Sequence, residues 1–500
     1  MGRSGRRALA VVGVVTVGLG LAGCSETWES ELVSVDATGT DSGEQAVDRG
    51  VLSADGTTVA FATRSSDLGP ADGNSVSDVY VRDTVAGTTT LVSVEASGTG
   101  AGNGLSSDPV LSADGSIVAF VSHASDLGPI DTNGVADVYV RDLVTGTTSL
   151  VSVALGGTDS GPIGADTPAL SADGTKVLFR AGGGGYAPND PVTPDGSQLY
   201  VRDLTAGTTT LVSVNSTGVG GGNGASYEGV VNADGTTVAF TSSASDLGPT
   251  DTNDDTDVYV RHLAAGTTTL VSVAASGTDA ADGASSAPVL SADGTRVAFA
   301  SYANDFGPPD TGSLPDILVR DLGTGTTQLV TVQPSGTAAN GVHTNVRFSP
   351  DGTKVAFDTL SINLGPVDTN GRADAYVRDL AAGTTTLLSL HGSGTDSANS
   401  GSGNPMFDTT GTRIAFHSLG SNLGPTDNNG LNDVYVRDLD ANLTSLVSSR
   451  ADGTEAGNGA ARLLGYAQGR ILVLSSADDL GPIDTNGQAD LYLASVVEDE

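Results

Sequence analysis

A unit of about 59 residues recurs eight times along this chain and constrains the fold more than any other sequence feature. Each unit reads S-A-D-G-x-x-V-A-F, then D-L-G-P-x-D-T-N-G-x-x-D-V-Y-V-R-D, then G-T-T-T-L-V-S-V, followed by a Ser/Gly/Thr/Asn-rich connection. The third residue of the opening turn stands at Asp55, Asp114, Asp173, Asp234, Asp293, Asp351, Thr410 and Gln468. Spacings of 58 to 61 residues indicate an array of equivalent structural units.

Four short β-type segments, separated by turn signals, make up each unit. The Asp-Gly pair of the opening turn is a strong hairpin signal, because a two-residue turn needs positive φ at both positions. Val59-Ala60-Phe61 and its equivalents are apolar on both parities, which predicts a strand covered on both faces. No apolar period of 3.6 residues occurs, so helical repeats are excluded. Four strands per unit, with sheets stacked face to face, predict the blades of a β-propeller.

The two ends of the chain indicate how the ring closes. Residues 31–35 resemble a fourth strand with no unit before it, and the last unit, with Leu463, Leu472 and Tyr492, contains three strands. We therefore predict an all-β, eight-bladed β-propeller of four-stranded antiparallel blades, closed by the N-terminal strand completing the last blade. Such closure removes the exposed strand edges of an open array.

The repeat motifs allow a comparison with known families. S-A-D-G-x-x-V-A-F followed by D-V-Y-V-R-D resembles the PD40 (WD40-like, TolB-type) propeller repeat, and Ser349-Pro350-Asp351-Gly352 reproduces its usual form. The resemblance covers about residues 30 to 495 and implies the propeller fold. It implies less about function, because such propellers serve as binding platforms, as gating domains of serine peptidases and as parts of enzymes.

The first 24 residues resemble a bacterial lipoprotein signal. Three arginines precede the apolar run of residues 8–21, which is too short to span a membrane. Leu21-Ala22-Gly23-Cys24 resembles a lipobox, which implies that Cys24 carries a diacylglycerol group and becomes the first mature residue. The alternative is an ordinary cleaved signal peptide in which Cys24 is incidental, and both the general and the twin-arginine export routes remain open.

These features give an expected domain plan and location. We expect a signal peptide at 1–23, the lipidated cysteine and a short tether at 24–30, and the propeller at 31–500. The protein would be exported and anchored by lipid to the outer face of the cytoplasmic membrane. Its formal net charge of −37 excludes nucleic acid partners and leaves the lipid anchor as its membrane contact.

The link between the second and third strands carries the most distinctive polar motif, D-x-N-x-x-x-D. Acids and amides at positions 1, 3 and 7 of a Gly-containing loop supply the oxygen ligands that calcium prefers, so the motif predicts bound calcium. The alternative is that these residues are turn formers at the entry of a strand. The candidate ligands are Asp72, Asn74, Asp78, Asp131, Asn133, Asp137, Asp251, Asn253, Asp257, Asp310, Asp316, Asp368, Asn370, Asp374, Asp427, Asn429, Asp433, Asp484, Asn486 and Asp490.

The near-identity of the units leads to the functional hypotheses. With no asymmetric catalytic cluster evident, the leading hypothesis is a monomeric, non-enzymatic scaffold that binds a protein or glycan of the cell envelope. One alternative is a calcium-assisted enzyme that processes polysaccharide or glycan with carboxylates of the central channel. Another is a purely structural envelope protein. The repeat breaks most clearly in the third unit, at residues 182–196, and in the eighth, so these are the places where a single site is expected.

Overall fold

The structure is a computed structural model, and it describes residues 26–497. Within that span it leaves out 70–71, 129–130, 158, 189, 191–195, 249–250, 278, 308–313, 366–367, 393, 395, 425 and 482–483. The described residues form 32 β-strands. None of them belongs to a helix long and apolar enough to cross a membrane.

The strands follow one another as four per repeat unit. In chain order they are β1 Trp28–Leu32, β2 Val47–Leu52, β3 Thr58–Thr63, β4 Asp78–Asp83, β5 Thr88–Leu91, β6 Ser106–Leu111, β7 Ile117–Ser122, β8 Asp137–Asp142, β9 Thr147–Leu150, β10 Ala165–Leu170, β11 Lys176–Gly182, β12 Ser197–Asp203, β13 Thr208–Leu211, β14 Ser226–Val231, β15 Thr237–Ser242 and β16 Asp257–His262. The second half continues with β17 Thr267–Leu270, β18 Ser285–Leu290, β19 Arg296–Ser301, β20 Asp316–Asp321, β21 Thr326–Leu329, β22 His343–Phe348, β23 Lys354–Thr359, β24 Asp374–Asp379, β25 Thr384–Leu387, β26 Ser402–Phe407, β27 Arg413–Ser418, β28 Asp433–Asp438, β29 Leu443–Leu446, β30 Ala461–Ala467, β31 Arg470–Ser475 and β32 Asp490–Val496.

The eight sheets form a closed ring, which confirms the predicted eight-bladed propeller. Blades one to seven are the consecutive quartets from β2–β5 to β26–β29, and all strand pairs are antiparallel. The eighth blade has the order β1-β32-β31-β30, so the N-terminal strand completes the last blade. First strands of neighbouring blades contact each other around the axis, including β2 with β30. The N-terminal strand spans Trp28–Leu32 and so begins before residue 31.

The core lies between adjacent blades. The second strands are almost entirely buried, as their apolar residues of both parities predict, and β3 is buried at all six positions. Phe61 pairs with Tyr80 across the strands, and their rings stack with centroids 6.0 Å apart. The same Phe–Tyr pair is stacked in five further blades. Burial of these rings between sheets provides much of the stability of the ring.

The fourth strands differ from the segments expected from the sequence. The apolar run at residues 90–94 predicts the strand, but β5 ends at Leu91 and the chain then turns inward. The cause is Ser93, whose buried hydroxyl accepts from the Val79 amide at 3.0 Å and donates to the Asp78 carboxylate at 2.6 Å. The serine of the T-L-V-S-V run therefore fastens the connection to the third strand.

Two faces of the propeller result from this topology. The loop face carries the links between second and third strands together with the connections between blades, and Asn74 donates to Gly102 O across them at 2.6 Å. The turn face carries the Ser-Ala-Asp-Gly turns, where the Ala113 amide donates to Ala172 O of the next blade at 2.8 Å. The first strands line the central channel between the two faces.

Candidate functional site

The D-x-N-x-x-x-D motif forms a hydrogen-bonded joint between neighbouring blades. In blade two, the Asn133 amide nitrogen donates to Asp137 at 2.8 Å and to Gly161 O at 3.0 Å. The other oxygen of Asp137 accepts from the Ser152 hydroxyl at 2.6 Å. One motif therefore connects the loop, the third strand, the fourth strand and the connection to the next blade.

The same geometry recurs around the loop face. We call the Asp that begins the third strand the strand-entry Asp. In seven blades one oxygen of its carboxylate accepts from a Ser or Thr hydroxyl at 2.5–2.7 Å. The asparagine nitrogen donates to the strand-entry carboxylate at 2.7–3.2 Å in five. Of the predicted calcium ligands, Asp310 lies outside the described residues. The predicted lipidation site Cys24 and the lipobox residues Leu21, Ala22 and Gly23 lie outside them too.

Blade three shows how the joint works without the motif. Gln198 replaces the strand-entry Asp, and its oxygen accepts from Ser213 at 2.6 Å while its nitrogen donates to Gly222 O at 3.3 Å. Asp190 accepts from the Tyr200 hydroxyl at 2.9 Å, as Asp72 does from Tyr80 at 3.0 Å in blade one. A neutral amide thus substitutes for the carboxylate, so the break in the third unit preserves the joint.

In the sequence of blade five, Gly312 stands where the other motifs have asparagine, and a histidine of the next blade lies near the strand-entry Asp. The imidazole of His343, from the first strand of blade six, is buried with its Nε2 3.6 Å from Asp316. Burial lowers the pKa of His343 to about 4, so the ring is neutral near pH 7. His343 therefore belongs to the loop-face joints and not to the channel.

The donor groups of these joints do not resemble a calcium cage. The motif places an amide nitrogen against the carboxylate, and the Asn133 oxygen accepts from the Val135 amide at 2.8 Å. Burial raises the pKa of Asp137 and of Asp433 to about 7, which disfavours the ionised form that metals require. Across the described residues no three His, Cys, Asp or Glu side chains converge to hold a metal ion. Calcium binding at the loops stays a prediction.

The channel wall is where the eight units differ most. The fifth residue of the second strand pairs with the first strand, which lines the channel, and it changes from blade to blade. In order these residues are Ala62, Val121, Arg180, Thr241, Ala300, Asp358, His417 and Leu474. The second residue of the first strand varies similarly, and its eight occupants are Asp48, Ser107, Asp166, Tyr227, Ser286, Thr344, Gly403 and Arg462.

A bulge in the first strand directs the third residue into the channel. Six blades place a non-glycine residue there with φ between 50° and 52°, a left-handed conformation that side chains rarely adopt. These residues are Asp108, Thr167, Glu228, Ala287, Asn345 and Asn404. The bulges build a ring of positions whose side chains are largely free of packing and can therefore vary.

On blades one to four, the channel charges are paired. Arg49 reaches Asp108 of the next blade at 2.8 Å, and Arg180 reaches Asp166 at 2.6 Å. Glu228 accepts from Thr241 at 2.9 Å and from an amide of blade five at 2.8 Å. A cavity of about 600 Å³ opens along this side of the channel. Its charged groups act chiefly as clamps between strands and blades.

Asp358 is the carboxylate of the channel-lining strands in blades six to eight. It is nearly buried and accepts from the Thr344 hydroxyl, from Asn345 Nδ2 at 2.8 Å and from the Asn404 amide at 3.1 Å. A Cβ at position 403 would collide with this carboxylate, so Gly403 is required for its approach to blade seven. Three donors from two blades hold the Asp358 carboxyl group in place.

Cationic and imidazole groups stand beside Asp358. His417 occupies the equivalent position in blade seven, and its Nδ1 is buried with no hydrogen-bond partner among the described residues. Burial lowers the pKa of His417; Asp358 opposes this shift and Arg462 adds to it. Arg347, exposed in the channel, donates to Val346 O at 2.9 Å. Within the described part of the chain, neither Arg347 nor Arg462 has an ion pair.

This cluster was missed because the units were compared as motifs. Repetition of S-A-D-G and D-V-Y-V-R-D hides the fifth position of each second strand, where only alanine occurs twice. No asymmetric cluster is therefore evident in the sequence, whereas the structure brings Asp358, His417, Arg347 and Arg462 to one sector. A column-by-column comparison of the second strands would have indicated Asp358 and His417.

Comparisons with known proteins give structural likenesses only. No protein-family model matches the chain, and no curated protein is similar to it in sequence. A solved "oligogalacturonate lyase in complex with manganese" is 15% identical, with a TM-score of 0.43 over 78% of this chain and 88% of that chain. A prolyl endopeptidase is 13% identical with a TM-score of 0.48, and the match covers 90% of this chain but 55% of that enzyme.

TolB from Acinetobacter baumannii is a further structural neighbour, 15% identical with a TM-score of 0.31 over 80% of this chain and 77% of that chain. The eight-bladed propeller itself fits the resemblance to PD40 repeats. At such low identity these likenesses show the fold alone.

The comparisons also correct the leading functional hypothesis. The prediction of a non-enzymatic scaffold is contradicted: solved chains of this fold bear the names of a lyase and of peptidases, so a repetitive propeller does not exclude an enzyme. Its physical basis also fails, since it depended on the lack of an asymmetric polar cluster. The channel wall of blades six to eight provides such a cluster.

Proposed function

We propose that the protein is an enzyme that processes an acidic polysaccharide, with its active centre on the channel wall of blades six to eight. The observation that carries the proposal is the position of His417, beside the fixed carboxylate of Asp358 and the guanidinium of Arg462. A reactive group with its own charged surroundings occurs here in a single sector of an otherwise repetitive ring.

The two arginines define the charge of the substrate. The chain has 22 Lys and Arg against 59 Asp and Glu, and two of these cations interact with the cluster: Arg347 with Asp358, and Arg462 with His417. Arg347 and Arg462 both stand on first strands, which line the channel. Guanidinium groups bind carboxylates through paired hydrogen bonds, which suits the carboxylate of a uronic acid unit.

The reaction that fits these groups is β-elimination. His417 is neutral near pH 7 because its pKa is lowered, and it accepts the proton from the carbon next to the substrate carboxylate. That electron pair forms a carbon–carbon double bond, the glycosidic carbon–oxygen bond breaks, and the departing sugar oxygen takes a proton. Arg347 and Arg462 stabilise the charge that develops on the carboxylate.

Hydrolysis by two carboxylates is supported less well. Glycosidases need two carboxyl groups facing the scissile bond. The channel-lining strands of blades six to eight carry Asp358 alone, and three donors already hold its oxygens. Metal assistance is not part of the proposal, because the described residues do not converge as a metal site.

The test uses the full chain with an oligogalacturonate tetramer. Elimination generates an unsaturated uronate, which is followed by its ultraviolet absorbance and by mass spectrometry. We expect turnover of the tetramer and none of a neutral cellotetraose control. Equal action on the neutral sugar, or hydrolysis without an unsaturated product, would show that the proposed reaction is wrong.

We also propose that the protein is exported and anchored through Cys24. The lipobox supports this, and the first described residues suit a tether, because Glu26 pairs with Arg413 at the turn-face end of β27. A tether leaving the turn face would direct the loop face and the channel mouth away from the membrane. Labelling cells with a fatty acid probe tests it, since Cys24→Ser should lose the label and leave the membrane fraction.

A further inference from the structure

An apolar patch stands on the loop face directly above the proposed active centre. Leu360 and Leu419 follow the ends of β23 and β27, two residues beyond Asp358 and His417, and about half of each leucine is exposed. Side chains alternate along a strand, so each leucine lies on the same side as its polar neighbour, about 7 Å further along.

Two exposed aliphatic residues extend this patch within blade six. The Leu360 amide donates to Val342 O at 3.0 Å, which places Val342 beside it at the channel rim. Ile362 follows two positions later and is 58% exposed. We call Val342, Leu360, Ile362 and Leu419 the rim patch. Their exposure in a single sector indicates a surface that is covered when a ligand binds.

The other blades show that the rim patch is a local departure from the repeat. The residues equivalent to Leu360 and Leu419 are Arg64, His123, Gly183, Ser243, Tyr302 and Ser476. The position of Ile362 is occupied elsewhere by Ser66, Ser125, Ser245, Asn304, Ser421 and Asp478. The next position is acidic in five blades, as Asp67, Asp126, Asp246, Asp305 and Asp479, but it is Asn363 in blade six and Asn422 in blade seven.

At these positions, blades six and seven therefore carry Asn in place of an acid and Leu or Ile in place of mostly polar residues. Arg347 and Arg462, which have no ion pair among the described residues, lie in the same sector. We infer that the substrate of the proposed enzyme is an acidic glycan bearing a short aliphatic acyl ester, and that the rim patch binds this ester. The inference rests on the proposed function. The carboxylate would lie at Arg347 and Arg462, and the ester would lie on the rim patch about one sugar unit above.

The side-chain chemistry distinguishes an acyl group from a bare sugar ring. All four members of the rim patch are aliphatic, whereas flat aromatic rings are the side chains that stack well on planar or ring-shaped ligands. Aliphatic side chains gain most by covering alkyl groups. Asn363 and Asn422, in place of the acids of five other blades, also reduce the repulsion that an anionic ligand meets at this position of the loop face.

The experiment measures binding calorimetrically with three probes: a galacturonate tetramer, its O-acetyl ester and its O-butyryl ester. His417→Asn in the full chain prevents turnover during the titration. We expect affinity to rise about two- to fourfold for each added methylene group. Replacing Leu360 and Leu419 by serine, as in blades four and eight, should abolish this rise and leave affinity for the bare tetramer unchanged.

Val144→Ser serves as the matched control, because Val144 is an exposed aliphatic residue of the turn face. Equal affinity for the three probes would overturn the inference and leave the proposed function standing. Failure to bind any probe would overturn both. Leucine-dependent flotation with phosphatidylglycerol vesicles, without discrimination among the probes, would also overturn the inference and assign the patch to a membrane surface.

Discussion

The loop-face joints and the channel wall are a few residues apart in each blade. The residues of the joints recur from blade to blade, whereas those of the channel wall vary. The strand-entry Asp recurs in seven blades with the same hydroxyl partner, whereas the fifth residue of the second strand is rarely used twice. A joint must satisfy buried donors in every blade, so its chemistry is fixed. The fifth residue of the second strand belongs to no hydrogen-bond set that recurs in every blade, so its identity can differ from blade to blade.

This contrast implies that the joints determine stability and the channel wall determines activity. The largest effect that we expect is on turnover. We predict that His417→Asn lowers turnover of the acidic tetramer by about 10²- to 10⁴-fold, the usual contribution of a general base. Stability should hardly change, because His417 Nδ1 has no described hydrogen-bond partner to lose. Steady-state kinetics and thermal melting measure the two effects.

The control for this variant is His123→Ser, an exposed loop-face histidine whose counterpart in blade four is already serine. It should alter neither turnover nor melting. If His417→Asn retained full turnover, the active centre would have to lie elsewhere on the channel wall.

The complementary change belongs to the loop-face joints. We predict that Asp137→Ala destabilises the fold by about 3 kcal/mol, because the Ser152 hydroxyl and the Asn133 amide then lose a buried acceptor. Denaturant titration with a probe of blade packing measures it. Asp48→Ala, at an exposed channel position, should change stability by about 0.5 kcal/mol or less. Equal effects of the two changes would contradict the assignment.

The same joints predict an unusual pH dependence of stability. Burial raises the pKa of Asp78 and Asp490 to about 6, and those of Asp137, Asp374 and Asp433 to about 7. Between pH values of about 4 and 7 the unfolded chain has released these protons while the folded chain keeps them. Their stabilising contribution is therefore complete below the unfolded pKa and is lost as pH rises through about 7.

The turn face has the opposite tendency. The Ser349 hydroxyl lowers the pKa of Asp351 to about 2, so its contribution is present above the unfolded pKa and is lost in stronger acid. We expect maximum stability on the acid side of neutrality, measured by melting across pH. Asp433→Asn should make the decline toward alkaline pH shallower by up to about 1.4 kcal/mol per pH unit. An unchanged slope would show that Asp433 is ionised in the folded state.

The sequence predicted the strands of each blade and the number of blades well, and the reason is physical. Turn chemistry, strand parity and eightfold recurrence each depend on residues close together in the chain, and all indicated the same blade. The closure by the N-terminal strand followed from counting strands. The position of β5 was less predictable, because it depends on Ser93 bonding to Asp78, fifteen residues away.

The channel cluster could not be predicted in the same way. His417 and Asp358 come close because consecutive blades pack side by side with the same strand position at the same height, a relation between residues 59 positions apart. The approach of His343 to Asp316 likewise crosses a blade boundary. Such partners have no fixed spacing in the sequence, so single-unit motifs do not reveal them.

The smallest effect that we expect tests whether variation of a channel residue between blades is enough to place it in the active centre. Arg180 is another unrepeated channel residue, but its guanidinium pairs with Asp166 at 2.6 Å, and both side chains are more than a third exposed. Arg180→Thr copies blade four. It should cost less than about 1 kcal/mol of stability, since exposed ion pairs contribute little, and should leave turnover within about twofold. Denaturation and kinetics measure both effects. A tenfold loss of turnover would extend the active centre across the channel to blade three, and the contrast would then lie between the whole wall and the joints.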